Sequence, residues 1–400
     1  MNRKLKIIFI FALILRLILA PLFYHRDLKT QNFHLQFLSS GVVNIYQYIA
    51  DHKSELPYRD TFNYLPLTYL SLASVQNLLK PLLPGDFYVW INDWSATQDN
   101  YPNLFYFLLI SKIPYLLFDF GIAYLLYKIY GENILKIWLY NPFSFYFIYV
   151  LANFDVIPVF FTVLAYYYLR QNKEFLAFFS LGLAVALKLY PLMFFPFFLF
   201  YYRPKIKKIF LATLYLLLPL IFSIVPFITN SAFTNSFSGS GLTQKIFEIK
   251  FFHLPLFPLV YTLVFLKYFF SKTKSLEFSF LLLFLAFIVF VPFHSQWLLW
   301  FLPFVILPVI KTKIKTITFL FILLLSLAYV ALINDQYLFW GHLIPISFDF
   351  LNLPHPVEII VERFHQDPAL IQQDIKIFVA FLSLIFIIPF REKNNTLSTN

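Results

Sequence analysis

Apolar residues come in long unbroken runs, not in alternation, and short polar or basic connections separate them. The runs cover residues 5–22, 64–83, 104–127, 134–151, 156–169, 175–187, 192–202, 209–227, 255–270, 278–292, 297–310, 317–333 and 375–390. An α-helix needs about 20 apolar residues to cross a bilayer, so the pattern predicts an all-α, polytopic transmembrane protein with about 11–14 membrane segments, half-crossings included. A membrane β-barrel is disfavoured, because its strands alternate apolar and polar positions.

The connections predict an orientation. Arg3, Lys4 and Lys6 precede the first run, and no small-residue cleavage motif follows it, so it reads as an uncleaved span. Basic clusters recur at Arg170/Lys173, Arg203/Lys205/Lys207/Lys208, Lys267/Lys272/Lys274, Lys311/Lys313/Lys315 and Arg391/Lys393. With the N-terminus, Lys128 and Lys136, one set of connections holds 19 Lys and Arg against 8 in the other. The richer set is assigned to the cytoplasm, with both termini, and all eight His fall on the outer side. A single transmembrane domain, 1–400, then carries a first outer loop at 23–63, a second at 334–374 and a polar tail, 394–400, expected to be disordered. Residues 84–102 hold three Asp and no Lys or Arg, which points outward, whereas simple alternation puts them inside. Either 64–83 re-enters, or 104–127 is two half-crossings broken at Pro114.

Composition agrees. Hydrophobic residues are 60% and charged residues 13%, against about 25% charged in a soluble domain, and mean hydropathy is +0.72. A soluble enzyme, a disordered chain and a coiled coil are excluded. The net charge of +11 is read as cytoplasmic loops facing membrane lipids, not as nucleic-acid binding. With Cys 0, disulfides and thiolate metal sites are absent. With Gly 8, small-residue helix packing is expected to be sparse. The 55 Phe, 27 Tyr and 6 Trp reflect either genome composition or an aromatic cavity for sugars or lipid chains.

Charges inside apolar runs are costly and mark candidate functional residues. Arg16, Lys112, Asp119 and Lys188 are such charges. Arg16 is long enough to snorkel, and Lys112 and Asp119, two turns apart, either pair elsewhere or flank a polar cavity. Lys188 lies before Tyr190-Pro191, where a stretch between two basic ends must turn back. An ammonium at that broken apex suits a phosphate. Asn153 and Asp155 join two runs at the outer face, where Asp155 either caps the next helix or points into the same cavity. His294-Ser295-Gln296-Trp297 forms another outer turn. His25-Arg26-Asp27 opens the first outer loop, and a carboxylate at the membrane surface suits a base acting on a lipid-linked substrate. Walker A, dinucleotide, zincin and nucleophile-elbow motifs are absent.

The ordered series of Asp27, Tyr64-x-Pro66-Leu67, Asp119, Asn141-Pro142, Asp155-x-x-Pro158, Lys188-x-Tyr190-Pro191 and Gln296-Trp297-x-x-Trp300 resembles the GT-C superfamily of glycosyltransferases. Within it, the chain looks most like GPI mannosyltransferase I and prokaryotic polyprenyl-phosphate-mannose-dependent mannosyltransferases. The matching stretches are 64–70, 119–128, 138–142, 153–158, 186–191 and 295–303. The resemblance implies inverting transfer of a hexose, mannose by likeness, from a polyprenyl-phosphate sugar to a lipid-linked or glycan acceptor, at a prokaryotic plasma membrane. Asp27 would be the catalytic base. Arg26, His25, Asp119, Asn153, Asp155, Lys188, Tyr190, His294 and Gln296 would bind substrate. No cofactor is implied and no metal is required. The family often carries Asp-x-Asp at this place, and here the first Asp is replaced by His25, so Asp51 and Asp60 stay open as alternatives. A transporter or flippase is the rival reading, because broken helices and intramembrane charges are also transporter features.

Overall fold

The computed structural model describes residues 3–95, 99–202, 204–239 and 244–388. The tail 394–400 and the basic residues Arg203, Arg391 and Lys393 lie outside them. The described chain is built from nineteen α-helices. In order they are α1 (Arg3–Leu19), α2 (Arg26–Leu35), α3 (Ile45–His52), α4 (Pro66–Leu79), α5 (Gly85–Asn92), α6 (Leu104–Tyr130) and α7 (Glu132–Tyr140). Then come α8 (Pro142–Phe145), α9 (Val156–Arg170), α10 (Glu174–Leu187), α11 (Phe195–Leu199), α12 (Ile206–Ile224) and α13 (Ser231–Gly239). The chain closes with α14 (Leu256–Phe270), α15 (Leu276–Phe290), α16 (Leu302–Val309), α17 (Lys313–Ala331), α18 (Pro356–Phe364) and α19 (Pro368–Ile387). A two-residue antiparallel pair, β1 (Lys250–Phe251) and β2 (Leu254–Pro255), is the one extended element among the described residues.

Five helices are long and apolar enough to cross a membrane: Arg3–Leu22, which is α1 with its continuing turn, and α6, α12, α17 and α19. Protein covers only 22% of the apolar window of α12 and 17% of that of α19. Ile206, Phe210 and Phe222 stand out from α12, 69–81% exposed. Apolar faces of this size call for a non-aqueous surrounding. The shorter apolar helices α9, α10, α14 and α15 have 14 or 15 residues, about 22 Å each, less than the roughly 30 Å of a hydrocarbon core.

Local chemistry sets the boundaries. Asn44, Ser275, Thr312 and Asp367 each accept a backbone N–H at the start of α3, α15, α17 and α19. Gly131, at φ 90°, ends α6 and starts α7. A Cβ on Gly182 would lie 2.3 Å from the Leu216 carbonyl oxygen, so glycine is what lets α10 and α12 touch backbone to backbone.

Three of the four charges in the apolar runs are structural. Arg16 Nε donates to Asp119 Oδ2 at 2.6 Å, and its guanidinium also donates to the Leu139 carbonyl at 3.0 Å. Trp138 Nε1 and Tyr149 Oη donate to the two Asp119 oxygens at 2.7 and 2.9 Å. All four side chains are buried, and they tie α1 and α6 to α7 and to the π-helical turn Tyr146–Val150. Arg16 is therefore paired within the bundle and does not snorkel. Lys112 donates to the carbonyls of Ala20 and Phe23 at 2.8 and 2.5 Å. Ala20 opens the turn that continues α1 and Phe23 follows that turn.

The connections sort to two ends of the bundle. Lys208 pairs with Glu174 at 2.5 Å, Tyr202 donates to the Leu169 carbonyl, and Tyr130 and Tyr166 both donate to Glu277. This gathers the basic connections at one end. The stretch between Glu174 and Tyr202 leaves that end and returns to it, with Lys188 at its apex. At the other end, the predicted loop 23–63 is largely helical, in α2 and α3. Its polar sequence conceals this because Lys29, Gln31, Asn32 and His34 are all buried. Asn32 accepts from Gln76 of α4 at 2.9 Å, Gln36 exchanges hydrogen bonds with Asn92 of α5, and Lys29 donates to the Asp93 carbonyl at 2.8 Å. Residues 84–95 and Asp99 thus lie on the same end as 23–63. α4 packs against α2, and α6 runs unbroken through Pro114.

Candidate functional site

A polar chamber of about 260 Å³ lies at the end opposite the basic connections. His25, Arg26, Asp27, Tyr64, Lys188, His294, Gln296, Asp335 and Tyr337 are among the residues that line it. Five separate segments supply these residues, each where an apolar run starts or stops.

The first turn of α2 presents Asp27. His25 caps this helix, its Nδ1 accepting the Asp27 N–H at 3.2 Å. Asn153 Nδ2 donates to Asp27 Oδ2 at 3.0 Å. The Asp27 side chain keeps 39% exposure, so it is open to the chamber. Asn153 is placed by a strained turn. Ala152 holds φ 45°, a left-handed conformation that a non-glycine residue adopts at a cost. That turn sends Asn153 toward Asp27 and Asp155, two residues on, toward Lys188. Asp155 stands at the start of α9 without capping it. Its oxygens accept instead from Lys188 Nζ at 2.5 Å and Trp300 Nε1 at 2.9 Å.

Lys188 lies at a junction. It lines the chamber and also an apolar slot of about 360 Å³, bounded by Tyr190, Leu192, Met193, Phe237, Ile246, Phe287, Trp297 and Trp300. The rings of Tyr64, Phe154 and Trp300 lie 5.2–5.7 Å from its ammonium, a separation at which a cation gains from the ring quadrupole. Tyr190 stacks flat on Trp300 at 4.0 Å. Tyr64, Lys188 and Trp297 belong to both spaces. A charged, hydrogen-bonding compartment therefore adjoins an apolar one, with Lys188 in the wall of both.

The chamber is closed by residues 335–342, from the second predicted loop. Arg26 lies under the Tyr337 ring at 4.1 Å, and His342 stacks on His25 at 5.6 Å. Tyr24 and His342 hold each other: Tyr24 N–H donates to the His342 carbonyl at 2.9 Å, and His342 Nδ1 donates to the Tyr24 carbonyl at 3.0 Å. Burial, then the charges of Asp27 and Asp155, pushes the Tyr64 phenol up, so it stays a neutral hydroxyl. Burial, then Lys245, holds His294 below the usual imidazole range.

Burial also pushes His34 down to about 4 and His342 down to about 3. Both are neutral in the fold at neutral pH, and the unfolded chain binds their protons near pH 6.5. The stability they contribute is complete above that value. It is lost as pH falls from about 6.5 toward 4 and 3, at about 1.4 kcal/mol per pH unit for each histidine. Unfolding midpoints measured between pH 8 and 5 should drop on acidification, and the drop should shrink in a His342→Phe variant.

Of the residues singled out in the sequence, Asp27, Arg26, His25, Lys188, His294 and Gln296 share the chamber. Asn153 and Asp155 hold members of it in place, and Tyr190 lines the slot. Asp119 is not among the lining residues, and both its oxygens are taken by Arg16, Trp138 and Tyr149. Asp51 and Asp60 are exposed and lie outside the chamber as well. Asp335 and Tyr337 went unnoticed in the sequence. The cue for them was a polar and aromatic cluster, Asn334 to Tyr337, directly after an apolar run. Among the described residues, no group of three His, Asp or Glu side chains is placed to hold a metal ion. Comparison of the chain with protein-family models, with curated proteins and with solved structures finds no match.

Proposed function

We propose that the chain is an integral-membrane glycosyltransferase of the GT-C type, transferring a hexose, with mannose the first to test, from a polyprenyl-phosphate sugar to a lipid-linked or glycan acceptor. The observation that carries this reading is the adjacency of chamber and slot, with Lys188 lining both. The prenyl chain lies in the slot between Tyr190, Phe287 and Trp300, the phosphate meets Lys188, and the sugar enters the chamber with Asp27. Asp27 takes the proton of the acceptor hydroxyl as its oxygen bonds to the anomeric carbon. The bond from that carbon to the phosphate oxygen breaks on the opposite face, and the electron pair leaves with the lipid phosphate, whose charge Lys188 balances. The configuration inverts. The active face is the outer face of a prokaryotic plasma membrane, and both termini are cytoplasmic. The intramembrane charges that favoured a transporter, Arg16 and Asp119, are engaged with each other, which weakens that alternative.

The test is transfer of label from radiolabelled polyprenyl-phosphate mannose in membranes, against a panel of acceptors. Incorporation that depends on the chain is expected. Transbilayer movement of the donor without transfer would support the flippase. Lys188→Ala should weaken donor binding ten- to a hundred-fold, the effect of losing one charge-assisted contact of about 1.5–3 kcal/mol, and Lys188→Arg should restore it only in part. Because Lys188→Ala leaves Asp155 unpaired, Lys188→Ala/Asp155→Asn serves as the folding control. Donor dependence unchanged in both would remove Lys188 from the phosphate site.

Orientation has its own test. Cysteine introduced at the exposed positions Glu55 and Asn352 should react with an impermeant thiol reagent in intact cells, and cysteine at Lys207 and Lys313 should not. Cys 0 in the native chain keeps the background silent. The reverse pattern would place the chamber in the cytoplasm.

A further inference from the structure

A separate groove of about 740 Å³ opens on the side of the bundle between α15, α17 and α19. One stripe of α19, at the spacing of a single helical face, forms its floor. The stripe is polar in its first half, with Gln372, Gln373 and Lys376, and apolar in its second, with Ile377, Phe381 and Leu384. Phe290 and Tyr329 form the facing wall. The groove is distinct from the slot beside the chamber. Phe287 of α15 faces the slot while Val289 and Phe290 face the groove, and the segment from Ile246 to Ile249 lies between the two.

Lys376 sits where the stripe changes character. Its ammonium donates to the Val291 carbonyl at 3.1 Å and lies 5.0 Å from the Tyr329 ring. Among the described residues it makes no ion pair, which leaves donors free for a ligand. The carboxylate whose field reaches it, Glu248, is exposed and screened by water. A groove of this volume falls in the range of about 300–1,000 Å³ that accommodates small ligands. It lies along α19, the candidate membrane helix least covered by protein among the five, so acyl chains are the apolar matter at hand.

We infer that this groove is a second lipid site, taking a membrane lipid whose phosphate headgroup pairs with Lys376 while an acyl chain lies along Ile377, Phe381 and Leu384. Basic pockets between membrane helices bind phosphate headgroups in this way. The site does not depend on the glycosyltransferase reading, since none of its residues lines the chamber or the slot.

The experiment uses the full chain, purified and incubated with phosphatidic acid carrying a photoreactive acyl chain, with photoreactive diacylglycerol of the same chain as the neutral control. Labelling is mapped by peptide mass spectrometry. Phosphatidic acid should label residues 377–384 about tenfold more than diacylglycerol, the effect of one charge-assisted contact. Lys376→Gln should remove that preference. Ala380→Trp, which fills the groove from an incompletely buried position, should remove the labelling itself. Millimolar inorganic phosphate should not displace the lipid. Equal labelling by the two lipids, an undiminished preference in Lys376→Gln, or full labelling in Ala380→Trp would each overturn the site. Displacement by inorganic phosphate would make free phosphate the ligand and overturn the lipid assignment.

Discussion

Asp27→Asn should lower sugar transfer at least ~100-fold while leaving donor binding largely intact, the usual scale for removing a general base. The substitution keeps the shape of the side chain and removes its capacity to take a proton. The Asn153 amide occupies one Asp27 oxygen, and the other remains open to an acceptor hydroxyl. Two other carboxylates of the first loop serve as controls. Asp51 accepts from Gln47 at 2.7 Å and Asp60 from Tyr58 at 3.1 Å, both on the surface and away from the chamber. Their Asn variants should be near normal. Asp335 does line the chamber, so Asp335→Asn is the informative comparison. A loss confined to Asp335→Asn would move the base to the other wall. Transfer should also survive EDTA, because the two chamber carboxylates, Asp27 and Asp335, belong to no group of three acidic or imidazole ligands among the described residues. Complete loss on chelation would overturn the metal-free mechanism, and wild-type turnover in Asp27→Asn would overturn the base.

The second large effect concerns stability. Asp119→Ala should destabilise the chain by about 3–5 kcal/mol, because it leaves Arg16 charged and uncompensated in the apolar interior. The deficit appears as a lower thermal midpoint of the purified protein. Arg16→Met together with Asp119→Leu should recover much of it, since well-packed apolar residues often replace a buried ion pair at little cost. An Asp119→Ala protein with the native midpoint but no donor binding would instead return Asp119 to the substrate site.

These two aspartates show what a sequence can and cannot disclose here. Asp27, Lys188, Asp155 and His294 were legible because each is a polar residue at the point where an apolar run breaks. Such breaks collect at one end of a helical bundle. Asp119 carries the same signal, a charge within an apolar run, but its partner is Arg16, 103 residues earlier. Linear order does not tell a ligand from a distant partner of this kind. α2 was hidden for a related reason. Its buried face is polar, and the groups that satisfy it come from α4, α5 and Asp99, so no periodicity of apolar residues betrays the helix. The five long apolar helices fall within predicted runs, but run length did not single them out: residues 64–83 and 134–151 are as long and hold only shorter helices. The break at Pro191 was legible from the basic ends that flank it, but those at Pro303 and the π-helical turn were not, because composition is uniform across them.

The Tyr24–His342 pairing bears on how the protein is made. Its two residues are 318 positions apart, so the chamber has no closing wall until nearly the whole chain has left the ribosome. Lys29, meanwhile, waits 64 residues for the Asp93 carbonyl and 70 for Asp99. A product truncated before residue 335 would carry every residue that lines the apolar slot but lack Asp335, Tyr337 and Leu338 of the chamber wall, and with them the ring that covers Arg26.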